Sequence, residues 1–411
     1  MGFQQGISGL NAASKNLDVI GHNIANSGTV GFKSSRAEFS SLVANSMAGF
    51  GCSSAGGTGF GVGLAAVSQQ FTQGGINRTG NGLDVAINGG GFFKLQLADG
   101  SNAYTRAGNF KQDKTGGIVT NDGAKVMGYK VDPDTGMASS SAVPLSFPIG
   151  TPIAAKVTTK ITAAINLDAR ATLAAGVTAD PTATPPVVGV PPTPRSTYGT
   201  SVNVYDDLGV ATPVNLYFEK TGENTWDVFN GLVDDTGAPT TALTSITFDP
   251  ATKSFTPSTV QLGTTPDVEL DLSSSTQYGS NFAVADLQQD GYTAGQLRSI
   301  NISADGSVVA SYSNGVTRAE AQMALSNFRN PQGLVAVGGN NWIASGDSGE
   351  PVDGKPGSGS FGTLLECSLE ESNVDLTAEL VNMMTAQRSY QANAQTIKTQ
   401  DQVMSTLVNL R

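Results

Sequence analysis

The sequence has 411 residues, of which 39% are hydrophobic and only 14% charged, with 50 glycines and a formal net charge of −11. That length allows two or three domains, while the acidic balance leaves no basic surface to displace counterions, which excludes nucleic acid as a partner. The single histidine, His22, excludes the common zinc constellations that draw on several.

The first element is helical. Leu10, Ala13, Leu17, Ile20 and Ile24 recur at spacings of 3, 4, 3 and 4, the period of a coiled-coil seam. Residues 1–31 carry only two formally charged side chains, Lys15 and Asp18. The polar side of this helix is Gln, Asn, Ser and Thr, which pack closely without the desolvation cost of an ion. Its start, MGFQQGISGLNAASKN, has neither the basic head nor the apolar core of a secretory signal. No apolar run approaches the roughly 20 residues that span a bilayer, so no membrane insertion is expected.

The segment NIANSGTVGFK, Asn23 to Lys33, stops the helix. Gly28 and Gly31 permit backbone angles closed to other residues. Asn23 and Asn26 are suited to bonding the freed backbone groups, and Phe32 and Lys33 to anchoring the connector beyond them against a neighbour. Residues 39–77 contain no charged side chain and are punctuated by glycine, which predicts a flexible or extended connector. Gly59-Phe-Gly61-Val-Gly63 looks like a nucleotide-binding loop but lacks the βαβ unit and later acid that such a loop requires.

From residue 78 the period becomes two. LDVAI alternates Leu83, Val85 and Ile87, and FFKLQL places Phe93, Leu95 and Leu97 on one face. Asp99-Gly100, Asn121-Asp122-Gly123 and Asp132–Gly136 mark turns between short strands. Residues 148–285 form a region of their own. It holds six prolines between Pro181 and Pro194, an exposed extended loop, succeeded by the β-patterned runs TSVNVYDDLG, PVNLYFEKTG and NTWDVFNG. The first β texture then returns in SINISADGSVVASYSNG and GLVAVGGNNWIASG.

The last element is a second long helix, whose seam reads Leu376, Leu380, Met383, Gln387, Tyr390, Ala394, Ile397, Asp401, Met404 and Val408. Ser372 and Asp375 suit a capping box at its start. At 1.5 Å per residue, residues 373–410 make a rod on the order of 55 Å long.

The fold class expected is multidomain and mainly β, with two nested β-rich domains and N- and C-terminal α-helices forming a coiled-coil inner domain. The expected boundaries are 1–25 with 372–411 for the helices, 26–77 with 362–371 for the connectors, 78–147 with 286–361 for a middle β domain, and 148–285 for an outer insertion. Asp206-Asp207 and Asp234-Asp235 read as turn acids, and no catalytic, cofactor or metal site is expected. Cys52 and Cys367 both fall in the connectors, too isolated for a disulfide framework.

Several of these stretches carry a resemblance. NIANSGTVGFK resembles the NxxANxxTxGFK signature of the bacterial flagellar rod and hook axial proteins, and NRTGNGLDVAINGGGFFKL their next shared segment. QQDGYTAGQLRSINISADGSVVASYSNG, ALSNFRNPQGL and the ending from SNVDLTAELVNMMTAQRSYQANAQTIKTQ onward point to the hook-type members, as does VNVYDDLG with PVNLYFEKTGENTWDVF. The Pro-rich stretch near 170–197 departs from the pattern. The resemblance implies an extracellular structural subunit of the flagellar hook, passed through the type III export apparatus without a cleaved signal peptide. It implies a helical homopolymer of about 11 protofilaments that acts as a universal joint in motility. Implied partners are the flagellar distal rod protein, the hook cap protein and the hook-filament junction protein.

On that reading Leu10, Leu17, Ile24, Leu380, Met383, Tyr390 and Ile397 supply the polymerisation interface. Asn23, Asn26, Gly28, Gly31, Phe32 and Lys33 form the motif by which the chain leaves the helix. A distal rod protein of the same family, and an extracellular β-rich adhesin or glycan-acting enzyme, are the alternatives.

Overall fold

The computed structural model describes residues 2–43, 59–132, 135–147, 150, 152–176, 191–233, 240–263 and 267–409. Cys52, Asp234, Asp235 and most of the Pro-rich run lie outside them. The chain divides into two compact units. One comprises Met1–Ile149, Ser299–Ser311 and Thr317–Arg411; the other comprises Gly150–Arg298 and Tyr312–Val316.

In the first unit, helix α1 (Gly2–Ala25) packs along helix α2 (Leu376–Asn409). Glycines make the close approach possible. A Cβ on Gly6 would stand 3.0 Å from Ile397, and one on Gly9 would stand 2.8 Å from Asn393. The most buried positions of α1 are Gly6, Ala13, Ile20 and Asn23, whereas Leu10, Leu17 and Ile24 are only half-buried. The contact stripe therefore keeps Ala13 and Ile20 of the seam expected from sequence and turns from its leucines toward Gly6, Gly9 and Asn23, where small side chains let the partner helix come close. At the start of α2 the cap is Asp375, not Ser372: its Oδ1 accepts the backbone N–H groups of Thr377 (2.9 Å) and Ala378 (3.2 Å).

The glycine-rich run expected as a connector is ordered where it is described. Strands Ser35–Val43 and Gly59–Gln69 pair antiparallel from Ser35↔Gln69 onward and pack on α1. Gly61, at φ +116°, leaves room for Ser8, whose Oγ accepts the Val62 N–H. Thirteen short strands form the main sheet of this unit. Its aromatic core joins Phe92, Tyr104, Phe328 and Trp342, with Phe71 edge-on to both Phe92 and Trp342. Two further antiparallel pairs bring together residues far apart in sequence: Val85–Asn88 with Thr363–Glu366, and Ile76–Arg78 with Ser368–Glu370.

The second unit is a β sandwich of two five-stranded sheets around one core. Lys160–Asp168 is central to the first sheet, and the other is a meander starting at Gly199–Tyr205. The alternation that predicts these strands is what fills the core: Ile161, Ala163, Ile165 and Leu167 from one sheet meet Leu216, Phe218, Trp226 and Val228 from the other. Trp226 is fully buried and donates its indole N–H to Gln277 Oε1 at 3.0 Å. The insertion ends later than residue 285, because Ala283–Gln289 pairs antiparallel with Lys160–Asp168. Asp206 is a turn acid, accepting the N–H groups of Leu208 and Val210.

Candidate functional site

The exit from α1 is built from hydrogen bonds. Helical turns end at Ala25, and His22 O accepts from both the Asn26 backbone N–H (3.2 Å) and Asn26 Nδ2 (2.9 Å), which fastens the last turn. Turns come next at Ser27, Thr29 and Phe32, whose N–H groups donate to Ile24 O, Asn26 O and Thr29 O. Asn23 is buried and ties three segments together. Its Nδ2 donates to Ser35 O (2.8 Å) and Glu379 Oε1 (3.0 Å), and its Oδ1 accepts the Ser35 N–H (2.9 Å). One asparagine thus joins α1, the first strand of the hairpin and α2.

The two glycines of the motif differ. Gly31 sits at φ +68°, and a Cβ there would stand 2.6 Å from the Ala107 nitrogen, so glycine is required. Gly28 has neither a left-handed φ nor a neighbour within 4 Å of a built Cβ, so its freedom is not what makes the turn. Phe32 is buried with its ring 5.5 Å from that of His22.

Lys33 does not reach outward. Its side chain is fully buried, with Nζ donating to Glu370 Oε1 and to Thr72 O, each at 2.6 Å. Glu370 is equally buried. It also accepts the Gly74 N–H (3.0 Å) and faces Arg106 Nη1 at 3.5 Å, while its backbone oxygen accepts the Gly31 N–H. Arg106 lies over the Phe92 ring, 5.3 Å from its centroid, and donates to Gly89 O. Burial pushes the Lys33 ammonium below its ordinary value against the pull of Glu370, and lowers Arg106 in the same way. One carboxylate holds two dry cations.

Sequence reading reached Lys33 but missed its partners. Glu370 occupies the inward phase of Ser368–Glu370, and an acid at a buried strand position was the available signal. Asn373 was also missed. It accepts the Ser34 N–H (2.7 Å) and donates to Gln70 O (2.7 Å) and Thr72 Oγ1 (2.9 Å), fastening the segment before α2 to both flanks of the hairpin.

The expected interface residues separate into two groups. Met383 and Ile397 are half-buried, and Leu380 and Tyr390 are exposed. Leu376, Val381 and Met384 are exposed too, so α2 shows solvent an apolar patch. A groove of about 560 Å³ runs between α1, the hairpin and α2, lined by residues that include Gly9, Ala12, Ala13, Asn382, Ala386 and Asn393. Among the described residues no cluster suited to a metal ion is present, and no helix is long and apolar enough to cross a membrane.

Four family descriptions match the chain. Residues 3–33 match "Flagella basal body rod protein", 86–175 "Flagellar hook protein FlgE/F/G D1 domain", 166–292 "Flagellar basal body protein FlaE D2 domain", and 366–410 "Flagellar basal body rod FlgEFG protein C-terminal". The chain is 42% identical to the flagellar hook protein FlgE of Salmonella typhimurium over 429 aligned residues, covering 100% of both chains. It is 41% identical to the FlgE of Escherichia coli, again over 100% of each. It is 31% identical to that of Borreliella burgdorferi, over 99% of this chain and 98% of the relative. The crystal structure of Helicobacter pylori flagellar hook protein FlgE2 resembles the fold, with a TM-score of 0.53 and 17% identity over 70% of this chain and 98% of that one.

Proposed function

We propose, because this chain belongs to the flagellar hook protein family, that α1 and α2 line the hook and that the junction at Asn23–Lys33 turns the chain outward from that lining. The protein is a structural subunit of the bacterial hook and polymerises with itself as part of the flagellum. The finer assignments are our own: helices 1–25 and 372–411 innermost, the β sheet of the same unit in the middle, and the sandwich within Gly150–Arg298 outermost. So are a tube of about 11 protofilaments and contacts with the distal rod protein, the hook cap protein and the hook-filament junction protein. Delivery by the type III export apparatus without signal cleavage, and a role that involves no catalysis, complete the reading.

The observation that carries it is the exposure of Leu380 and Tyr390 on a helix contributed by one end of the chain. Burying a large apolar side chain is worth roughly 1.5–3 kcal/mol, and neighbouring copies are the surface that supplies it. Half-buried Leu10, Leu17 and Ile24 leave the corresponding face of α1 open to the same covering. Contacts between outer domains, which carry Thr, Ser and Asn, are polar and exchangeable in this reading, as a bending joint requires. Deleting residues 1–25 or 375–411 should abolish polymerisation, scored by electron microscopy. Hooks assembled from either truncated chain would refute the assignment.

A further inference from the structure

Four Asn-Gly steps occur in the chain, at Asn81, Asn88, Asn230 and Asn314. With no side chain to shield it, a glycine nitrogen can reach back to the carboxamide carbon of the preceding asparagine. Three of the steps are held away from that reaction. A single side chain, Gln73, brackets the second: Gly89 N–H donates to its Oε1 (3.0 Å), and its Nε2 donates to Asn88 Oδ1 (3.4 Å). Gly315 N–H donates to Tyr312 O (3.1 Å), and Asn314 Nδ2 to Thr293 O (2.7 Å). Asn230 is half-buried, with its Nδ2 on Leu262 O (3.0 Å). Asn81 differs. It is exposed, and the Gly82 N–H beside it has no hydrogen-bond partner among the described residues. Leu83 N–H reaches Asn81 Oδ1 at 3.4 Å. That bond leans the carboxamide along the Gly82 peptide and puts a donor where charge develops as Cγ is attacked.

We propose that Asn81-Gly82 is a self-modifying site whose only co-reactant is water. The Gly82 nitrogen attacks Asn81 Cγ, and the new C–N bond closes a succinimide ring as the bond to Nδ2 breaks. The Gly82 proton leaves with the amide group as ammonia. Water then opens the ring at either carbonyl, giving aspartate or isoaspartate. The change matters because of what the amide covers. Asn81 Nδ2 donates to Asp84 Oδ1 at 3.1 Å, and Asp84 is buried, with Thr79 Oγ1 donating to its other oxygen at 2.6 Å. Conversion replaces the amide donor with a second carboxylate facing the first, and like charges so placed repel. Asp84 O accepts the Ser368 N–H, and Cys367 O accepts the Thr79 N–H. The loop therefore supports strand Ser368–Glu370, which carries the anion for Lys33. The folded chain slowly marks itself, and the mark loosens the seat of Glu370. The reaction requires no polymer.

One tryptic peptide tests the choice among steps. Cleavage after Arg78 and Lys94 releases Thr79–Lys94, which holds both Asn81 and Asn88. The full chain is incubated in mildly alkaline buffer and digested, and the amide-to-acid mass change is located by fragmentation. Asn81 should convert about fivefold faster than Asn88, the rate equivalent of the hydrogen bond that Gly89 N–H must give up. In denaturing urea the two rates should converge, since both steps are Asn-Gly. Equal rates in the folded chain, or a gap that persists in urea, overturn the proposal. So does a folded chain whose Asn81 keeps its amide over a period in which the unfolded chain converts. Asn81→Asp makes one product directly. In a Trp226→Phe background it should unfold at a lower urea concentration than its parent, read by Trp342 fluorescence. A midpoint equal to or above the parent's overturns the loosening at Glu370.

Discussion

Glu370→Gln should be the most damaging single substitution at the junction, worse than Lys33→Met, although both break the same 2.6 Å ion pair. The glutamine keeps the size of the side chain and a carbonyl acceptor for Gly74 N–H. What it removes is the negative charge opposite two buried cations, Lys33 and Arg106. Removing one partner of a buried pair costs about 3–5 kcal/mol, because the other charge is left without compensation. Lys33→Met leaves Glu370 with Arg106 at 3.5 Å and with Gly74 N–H at 3.0 Å. Thr72 O keeps the Asn373 Nδ2 donor at 3.2 Å. Its cost is therefore the loss of one charged hydrogen bond, about 1.5–3 kcal/mol, reduced by no longer burying an ammonium. The gap between the two variants is about 2 kcal/mol, which an m-value of about 1–3 kcal/mol/M converts to a midpoint difference near 1 M urea. Trp342 reports the transition, since it lies in this unit with its indole N–H on Gln69. Replacing Trp226 with Phe removes the only other tryptophan. If Glu370→Gln unfolds at the same urea concentration as Lys33→Met, or at a higher one, the accounting of one anion for two cations is wrong.

Local geometry sets two more outcomes. Gly31→Ala should lower hook yield sharply, because a left-handed residue with a Cβ costs roughly 1–2 kcal/mol and the methyl group collides with backbone at Ala107. Gly28→Ala should assemble like the wild type; equal yields from the two variants, counted on electron micrographs, would contradict the distinction. In the sandwich unit, the Lys160 ammonium at 2.8 Å and the Ser273 N–H hold the Asp271 carboxyl down at about 2. A depressed carboxyl stabilises fully above its unfolded value near 3.8, and that contribution is lost as pH falls through about 2. Lys160→Met should therefore move acid unfolding, monitored by Trp226 fluorescence, to higher pH, with only a small effect near neutrality because the lysine is exposed and solvent screens the pair. An acid midpoint that stays put would show the pair to be idle.

How far the fold can be read from sequence depends on how local its determinants are. Period-two alternation placed Val85–Asn88, Phe92–Gln96 and the strands around Asp305-Gly306, because each strand buries one face whatever its partner. The helices were equally legible as elements, but the line of contact between them only in part. The period found buried Ala13 and Ile20 along with half-buried Leu10 and Leu17, whereas the closest approach is made at Gly6 and Gly9, where a missing side chain is the qualification. The junction was legible on one side only. The Asn and Gly residues of NIANSGTVGFK announce a turn, yet Lys33 finds its anion 337 positions away, and no local period encodes that distance. The boundary near residue 285 failed for a related reason: Ala283–Gln289 belongs to the strand it pairs with, not to its neighbours in sequence.

The pairing of Lys33 with Glu370 also imposes a timetable on the chain. As the polypeptide emerges from its N-terminus, the lysine comes early and its counter-charge only after residue 370 of 411. Until then the dry interior position that Lys33 occupies would hold an ammonium with no anion, so a partly made chain is penalised for closing its junction. Completion of the molecule, rather than arrival of its first helix, becomes the event that lets the base of the subunit set.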